Sequence, residues 1–387
     1  MSRNYDDRIG EAVPSKVILV GGGLHNGLLA LALLAKPDPP TVVVIEKEDK
    51  FGGNHTWCFH EGDTPLEKWV RPLVSHTWDG YDVHFPGFSR QMGGAYHHIS
   101  ANRFHEVLAG AIDAHAKASR MMNTEVVCVK DNQVHLSDDR VISGDIVIDA
   151  RGPSQHSIRP RETGYQKFVG MEVELTTSCG LHRPCLMDAR VPQTDGFRFL
   201  YVLPLSPTRV LIEDTYFSDG PCLDEEALQQ EITAYASRQG WVFKSVARTE
   251  CGVLPLPWSK PVVAKDHDSC IVGGYGGGMF HPITGYSIQV AMRFAAHMTQ
   301  AKSAWAEEKA HFSRAITRQH SYLYPLNKVL FRHYEQSERW RLMARFYRCP
   351  QPVIERFYDL QLSIWDVMRI LVGKIPNGMQ MYPRKAV

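Results

Sequence analysis

At 387 residues the chain exceeds what one hydrophobic core usually supports, so two lobes sharing a site are the expectation. Its 44% hydrophobic and 22% charged residues describe a globular protein, and a formal net charge of +1 excludes the basic footprint of a nucleic-acid binder. Eight cysteines without a C-x-x-C pair exclude a disulfide framework, and no His/Cys/Asp cluster has metal-ligand spacing, so no metal is expected.

Residues 1–15 are polar and mixed in charge, without the apolar core of a secretory signal. Lys16-Val-Ile-Leu-Val20 then reads as a short buried strand. It runs into Gly21-Gly22-Gly23 and an Ala/Leu-rich helix, whose run Leu28–Ala35 is far shorter than the ~20 residues that span a bilayer. A second strand, Thr41-Val-Val-Val-Ile45, ends in the acid Glu46. Strand, glycines, helix, strand and acid in this order build a dinucleotide site. Gly21 permits the tight turn, Gly23 lets backbone approach a pyrophosphate at the helix N-terminus, and Glu46 is placed to accept from a ribose diol. Asn26 stands where the third glycine of G-x-G-x-x-G is usual, so helix–strand packing must accommodate a side chain. An α/β turn without a nucleotide is the plain alternative.

A glycine- and aromatic-rich segment follows, Phe51-Gly-Gly53-Asn-His55-Thr-Trp57. Ser100 is a plausible N-cap for a helix over about 99–117, which carries Arg103. Glu125–Lys130 and Gln133–Leu136 read as a hairpin through Asp131-Asn132. Val141 to Gly152 is an apolar strand ending in Asp149-Ala-Arg-Gly152. Between 165 and 260 strand alternation dominates, with Phe197–Leu203 and Arg209–Tyr216 joined by a proline turn. Ser269-Cys-Ile-Val-Gly273 resumes the parallel-sheet style and enters a glycine-rich turn, where Pro282 and Gly285 mark the start of a helix; a flexible glycine loop is the alternative. The remainder is helical and rich in arginine. There Arg341, Arg345 and Arg348 lie beside Leu342, Met343 and Phe346, either as a basic amphipathic face for a membrane or as a capping helix.

The expected architecture is α/β. A Rossmann-type FAD-binding fold has its first part at 16–164, is interrupted by an antiparallel-sheet substrate domain at 165–262, and is completed at 263–300. A helical C-terminal region at 301–387 follows, membrane-facing in the first of the two readings above. This is the layout of FAD-dependent hydroxylase-like proteins. At Gly52-Gly-Asn-His-Thr-Trp57, Leu211-Ile-Glu213-Asp-Thr215 and Phe280-His-Pro-Ile-Thr-Gly-Tyr286 the sequence resembles the bacterial lycopene β-cyclases. Supporting segments are Tyr165–Glu172, Met187-Asp-Ala and Ile354-Glu-Arg-Phe-Tyr, and the resemblance extends over about residues 16–375.

The resemblance implies an isomerase that closes the ψ end groups of lycopene to β rings without net redox change. It implies FAD, active when reduced, with NAD(P)H as a candidate reductant. It also implies a cytoplasmic protein resting on the inner face of the membrane, among other carotenoid-pathway enzymes. The acid pair Glu213 and Asp214 carries the candidate catalysis. Alternation puts Glu213 and Thr215 on one strand face and Asp214 on the other, so only one carboxyl enters a given cavity, and the resemblance selects Glu213. A solvated strand end is the alternative for both. Protonating an alkene requires an acid that is neutral at working pH, which an apolar pocket provides. Candidate cofactor contacts are Gly21, Gly23, Asn26, Glu46, Gly53, His55, Arg103, Asp149, Gly152, Gly273, Pro282 and Gly285. Trp57, Phe59, Tyr201 and Phe280 are candidate aromatic faces for a cation, and His281 is a candidate neighbour of the flavin. Position 274 is glycine where flavin hydroxylases carry aspartate, and there is no second G-x-G-x-x-G for NADPH. The rival readings are a flavin monooxygenase, an isoprenoid reductase, or a carotenoid carrier with no chemistry.

Overall fold

The computed structural model describes residues 14–62, 66–152, 159–260 and 270–371. Most of the polar leader, the junction at 261–269 and the end of the helical region at 372–387 lie outside the described residues. The chain opens with β1 (Lys16–Val20), α1 (Leu24–Leu34) and β2 (Thr41–Ile45), followed by β3 (Thr56–His60), β4 (His76–Phe85) and β5 (Phe88–Ser100). Next come α2 (Ala101–Asp113), β6 (Ala118–Met121), β7 (Val126–Lys130), β8 (Gln133–Leu136), β9 (Val141–Ser143) and β10 (Ile146–Asp149). The middle of the chain supplies β11 (Thr163–Leu175), β12 (Cys185–Asp188), β13 (Phe197–Pro204), β14 (Arg209–Ser218), α3 (Glu225–Arg238) and β15 (Phe243–Pro257). After β16 (Cys270–Val272) the chain is helical: α4 (Ile288–Thr299), α5 (Trp305–Arg332), α6 (Arg339–Phe346), α7 (Gln351–Tyr358) and α8 (Ile364–Leu371).

Three sheets result. A five-stranded parallel sheet has the order β16-β10-β1-β2-β6, and its central strands are apolar runs buried on both faces, as parallel strands require. α1 is buried nearly all round because it is enclosed between this sheet and α4. An eight-stranded sheet runs β15-β11-β14-β13-β12-β4-β5-β3, antiparallel except where β12 meets β4. One face of it packs on α3 and the other turns toward the parallel sheet. The hairpin expected at 125–136 forms with Asp131 at φ 51, and β9 completes a small third sheet. Ser100 caps α2 as expected, its Oγ accepting from the Arg103 N–H at 3.2 Å.

Two features differ from the sequence reading, and one alternative is decided. The eight-stranded sheet takes β3, β4 and β5 from residues 56–100, so it is not confined to 165–262. Local pattern does not reveal which distant strands pair. The helix after the glycine turn starts at Ile288, beyond Pro282 and Gly285. The turn itself is organised by His281, whose Nδ1 accepts from the Ile283 and Thr284 N–H groups at 3.2 Å each. Of the two readings of the arginine-rich segment, α6 takes the capping one. Arg339, Met343, Ala344 and Phe346 are buried, and the Arg339 guanidinium meets Asp219 at 2.6 Å, so its apolar face is turned inward. No helix of the described residues is long and apolar enough to cross a membrane.

Candidate active site

A cleft of about 700 Å³ runs along the carboxyl ends of the parallel strands and the N-terminus of α1. Gly21 turns the chain at φ 92, and a side chain there would press on the Ala150 carbonyl at 3.1 Å. Gly23 has no side-chain cap on the helix it begins, and the space where its Cβ would lie is open to 4 Å. The first N–H groups of α1 are therefore offered to the cleft, a ready anion site. At the lip, Glu46 is fixed by two backbone groups: Oε2 accepts from the Gly22 N–H of the glycine turn at 2.6 Å and Oε1 from the Glu48 N–H of its own loop at 3.0 Å. Gly53, His55 and Gly152 also line the cleft.

The remaining candidate cofactor residues lie elsewhere. Asn26 is wholly buried, and its amide donates to the carbonyls of Val20, Gly21 and Ile148 at 2.9, 3.0 and 3.2 Å. It locks β1 to β10, which is how the turn tolerates a side chain at the third-glycine position. Arg103 is drawn away by the Pro72 carbonyl at 2.8 Å. The Asp149 carboxylate pairs with Arg151 at 2.7 Å, while its carbonyl receives the Gly273 N–H. Gly273 lies against His25, which an added Cβ would approach to 2.6 Å. The Pro282 carbonyl accepts from Asn327 at 3.1 Å.

A second cavity of about 300 Å³ opens off the cleft, and His55, Trp57, Leu254, Tyr275 and Ser287 line both. Glu213 stands in its wall, with Gly285 nearby and aromatic faces from Phe168, Phe199, Tyr201, Tyr286 and Tyr358. Tyr275 stacks on Phe280 at 4.1 Å and donates from its hydroxyl to the Gly285 carbonyl at 2.9 Å. Tyr275 thus presents the ring that Phe280 was expected to supply. Phe59 is buried beside His97 and does not line this cavity, and His281 is spent on its turn and the Phe357 carbonyl.

Strand pairing explains why the acid sits where it does. Gly170 of β11 is opposite Glu213 of β14 on one side and opposite Glu250 of β15 on the other. Directly paired residues share a sheet face, so both carboxyls rise on either side of a residue without a side chain. A Cβ at 170 would come 3.0 Å from Glu250 Cγ and 3.3 Å from Oε1. Glu250 is buried; its Oε2 takes hydrogen bonds from Arg248 at 2.6 Å and Thr56 at 3.0 Å, while Oε1 has no partner. Burial first, and the neighbouring Glu250 carboxylate second, push Glu213 up to about 8, against a 2.6 Å hydrogen bond donated by Thr215. Glu250 was not recognisable from sequence, because its nearness to Glu213 exists only through β11.

Asp214 does not reach the cavity. It faces α3, wholly buried, in a two-pronged ion pair with Arg198 at 3.0 and 2.7 Å. Its role is in the core, and the acid pair of the sequence divides between two faces of one strand. One group of metal-ligand type does form among the described residues, His297, Glu308 and His311, contrary to the spacing argument. These residues line neither cavity, and His297 is held by the Glu308 carboxylate at 3.1 Å, joining α4 to α5.

A sequence family described as lycopene cyclase protein matches residues 16–382. Curated lycopene β-cyclases of Pseudescherichia vulneris and Pantoea ananas are each 39% identical, over 368 and 367 residues, which is 93% of this chain and 94% of theirs. Among solved structures, a flavin-dependent halogenase from Xanthomonas campestris superposes with a TM-score of 0.63, covering 93% of this chain and 94% of that one. At 12% identity that likeness is one of fold.

Proposed function

The chain belongs to the lycopene cyclase family and is an enzyme that cyclises lycopene; from that premise we propose that Glu213 is the acid that starts the reaction. The neutral carboxyl donates its proton to the terminal double bond of a ψ end group. The tertiary carbocation that forms is attacked by the neighbouring double bond, the ring closes, and a proton leaves from the ring to give the β end group. One proton enters and one leaves, so no electrons are exchanged. The observation that carries this reading is the single carboxyl in an aromatic cavity, held neutral by burial and by Glu250. Trp57, Tyr201 and Tyr286 offer ring faces that attract the cation without forming a bond to it. A cavity of about 300 Å³ suits one end group of a C40 hydrocarbon.

The cleft residues fit FAD. Gly21, Gly23 and the free N–H groups of α1 would hold its pyrophosphate, and Glu46 its ribose, with the flavin end toward the shared wall at His55, Trp57 and Tyr275. Bound in reduced form, FAD would supply negative charge to the wall that the cleft shares with the cavity. NAD(P)H is the reductant proposed to keep it so, consumed out of proportion to product. The enzyme is proposed to work at the cytoplasmic face of the membrane, where its hydrocarbon substrate resides beside the other enzymes of the pathway.

The test is isotopic. Product formed in heavy water is expected to carry one solvent deuterium per ring, and product formed in ordinary water to have the mass of lycopene. A gain of two hydrogens per bond would mark a reductase, an added oxygen a monooxygenase, and a cyclised product free of deuterium would remove Glu213 from the role of solvent-exchanging acid.

The pH profile follows from the same carboxyl. Glu213 is protonated below about 8, so cyclisation is expected to be flat through neutrality and to fall about tenfold per pH unit above it. An ordinary glutamic acid would hold its proton in only about 0.2% of molecules at pH 7. Because the folded carboxyl binds its proton more tightly than the unfolded one, its contribution to stability is lost as pH rises from about 4.5 to about 8. Glu250→Gln removes the like charge, lowers the pKa of Glu213, and is expected to move the alkaline limb to lower pH with the acid still present. A rate profile unmoved by Glu250→Gln would show that the two carboxyls do not interact.

A further inference from the structure

α8 is the one described helix with large apolar side chains turned to solvent along its length. Ile364, Trp365, Met368 and Leu371 are 53, 79, 46 and 49% exposed. At about 100° per residue they occupy a continuous arc of about 120°. The opposite face is firmly held. Val367 is buried, the Asp366 carboxylate takes a two-pronged ion pair from Arg356 at 2.6 and 2.9 Å, and Ser363 donates to it at the helix start. At the other end, Arg345 donates to the carbonyls of Ile370 and Leu371 at 3.1 and 3.3 Å. The apolar arc therefore belongs to an anchored helix.

The sequence leading into it is basic, although Arg339 and Arg356 are held by Asp219 and Asp366 and Arg348 lies over the Phe88 ring. From Arg339 to Leu371 the sequence carries six arginines against three acids, and Arg348 and Arg369 are exposed. The helix is also close in sequence to the site. Tyr358, at the end of α7, lines the cavity of Glu213, and five residues separate it from Ile364. Gln319 of α5 pins that link, exchanging hydrogen bonds with the Leu362 backbone at 2.9 and 3.1 Å.

We propose that α8 docks this chain on an anionic lipid surface, Ile364, Trp365, Met368 and Leu371 entering the headgroup–acyl boundary and Arg348 and Arg369 meeting the phosphates. A nearly bare tryptophan on an apolar arc with the exposed Arg369 at its edge has the chemistry of a membrane-interface element. The proposal rests on the reading of the enzyme as working at a membrane, and it moves the contact from α6, whose apolar face is buried, to α8. Docking there would bring the wall of the cavity near the bilayer in which a C40 hydrocarbon is dissolved.

The experiment uses the full FAD-loaded chain with vesicles of phosphatidylcholine, alone or with one-third phosphatidylglycerol. Binding is expected on the anionic vesicles, weakened by salt and by omission of phosphatidylglycerol. Trp365→Glu with Met368→Glu is expected to lower binding at least tenfold, and Arg369→Glu to lower it on anionic vesicles only. Cyclisation of lycopene presented in vesicles falls with binding, while lycopene presented in detergent micelles is cyclised at the unmodified rate. Undiminished vesicle binding by the double variant overturns the proposal. So does binding that appears only after residues 372–387 are deleted, or a dimer in light scattering that the double variant splits. If the unmodified enzyme cyclises lycopene in neither presentation, the cyclase reading fails, and vesicle binding still decides the role of α8.

Discussion

Glu213→Gln is expected to lower cyclisation by about 10²–10⁴-fold, the range over which a positioned acid contributes. The amide keeps the shape of the carboxyl and an oxygen for the Thr215 hydroxyl, which now donates to Glu213 at 2.6 Å. Fold and flavin binding are therefore preserved, and the loss is specific to the proton. Among the cavity-lining residues no second carboxyl is present to take over, since Asp214 is locked to Arg198 on the far side of the sheet. The measurement is anaerobic conversion of lycopene with chemically reduced FAD, alongside the flavin absorption spectrum. Turnover at the unmodified rate would show that another group protonates the substrate.

The second large effect is on the cofactor. Gly23→Val is expected to weaken FAD binding at least about a hundredfold, the loss of a charge-assisted phosphate contact together with steric exclusion. Gly23 has φ −77, which any residue adopts, and its Cβ would meet nothing of the protein within 4 Å. The valine thus fits the apoprotein and fills only the space at the mouth of α1. A methyl at Gly22, in contrast, would overlap the ring of Phe51 and damage the fold itself. Fluorescence titration of apoprotein with FAD, with thermal unfolding of both apoproteins as control, separates the two effects. Equal flavin affinity in Gly23→Val would mean the pyrophosphate lies elsewhere.

The parts of this molecule that were legible in sequence are those whose signal is local. Strand, glycine turn, helix and acid between Lys16 and Glu46 follow one another in the chain and in space, so the cleft could be drawn before the fold was known. The same holds for the alternation that sends Glu213 and Asp214 to opposite faces. What escaped was pairing at a distance. β3, β4 and β5 join a sheet whose other members begin at residue 163, and Glu250 meets Glu213 across a strand that belongs to neither. Asn26 and Arg103 occupy positions where cofactor contacts are usual, but their side chains found backbone carbonyls first. The arginine-rich helices show the limit most plainly. An amphipathic pattern states that a helix has an apolar side, and only packing decides whether that side meets the core, as in α6, or water, as in α8.

Gly170 gives the proposed acid an adjustable setting that owns no proton. It is the spacer across which Glu250 acts on Glu213, and it can be so only while it lacks a side chain. One carbon there would press on Glu250 at Cγ and Oε1, 3.0 and 3.3 Å away, and is expected to shift the pH at which Glu213 ionises. Every acid would be in place, but the alkaline edge of the proposed reaction is expected to move. A substitution without any ionisable atom would then be inherited as a change in the alkalinity a cell can tolerate while still making rings.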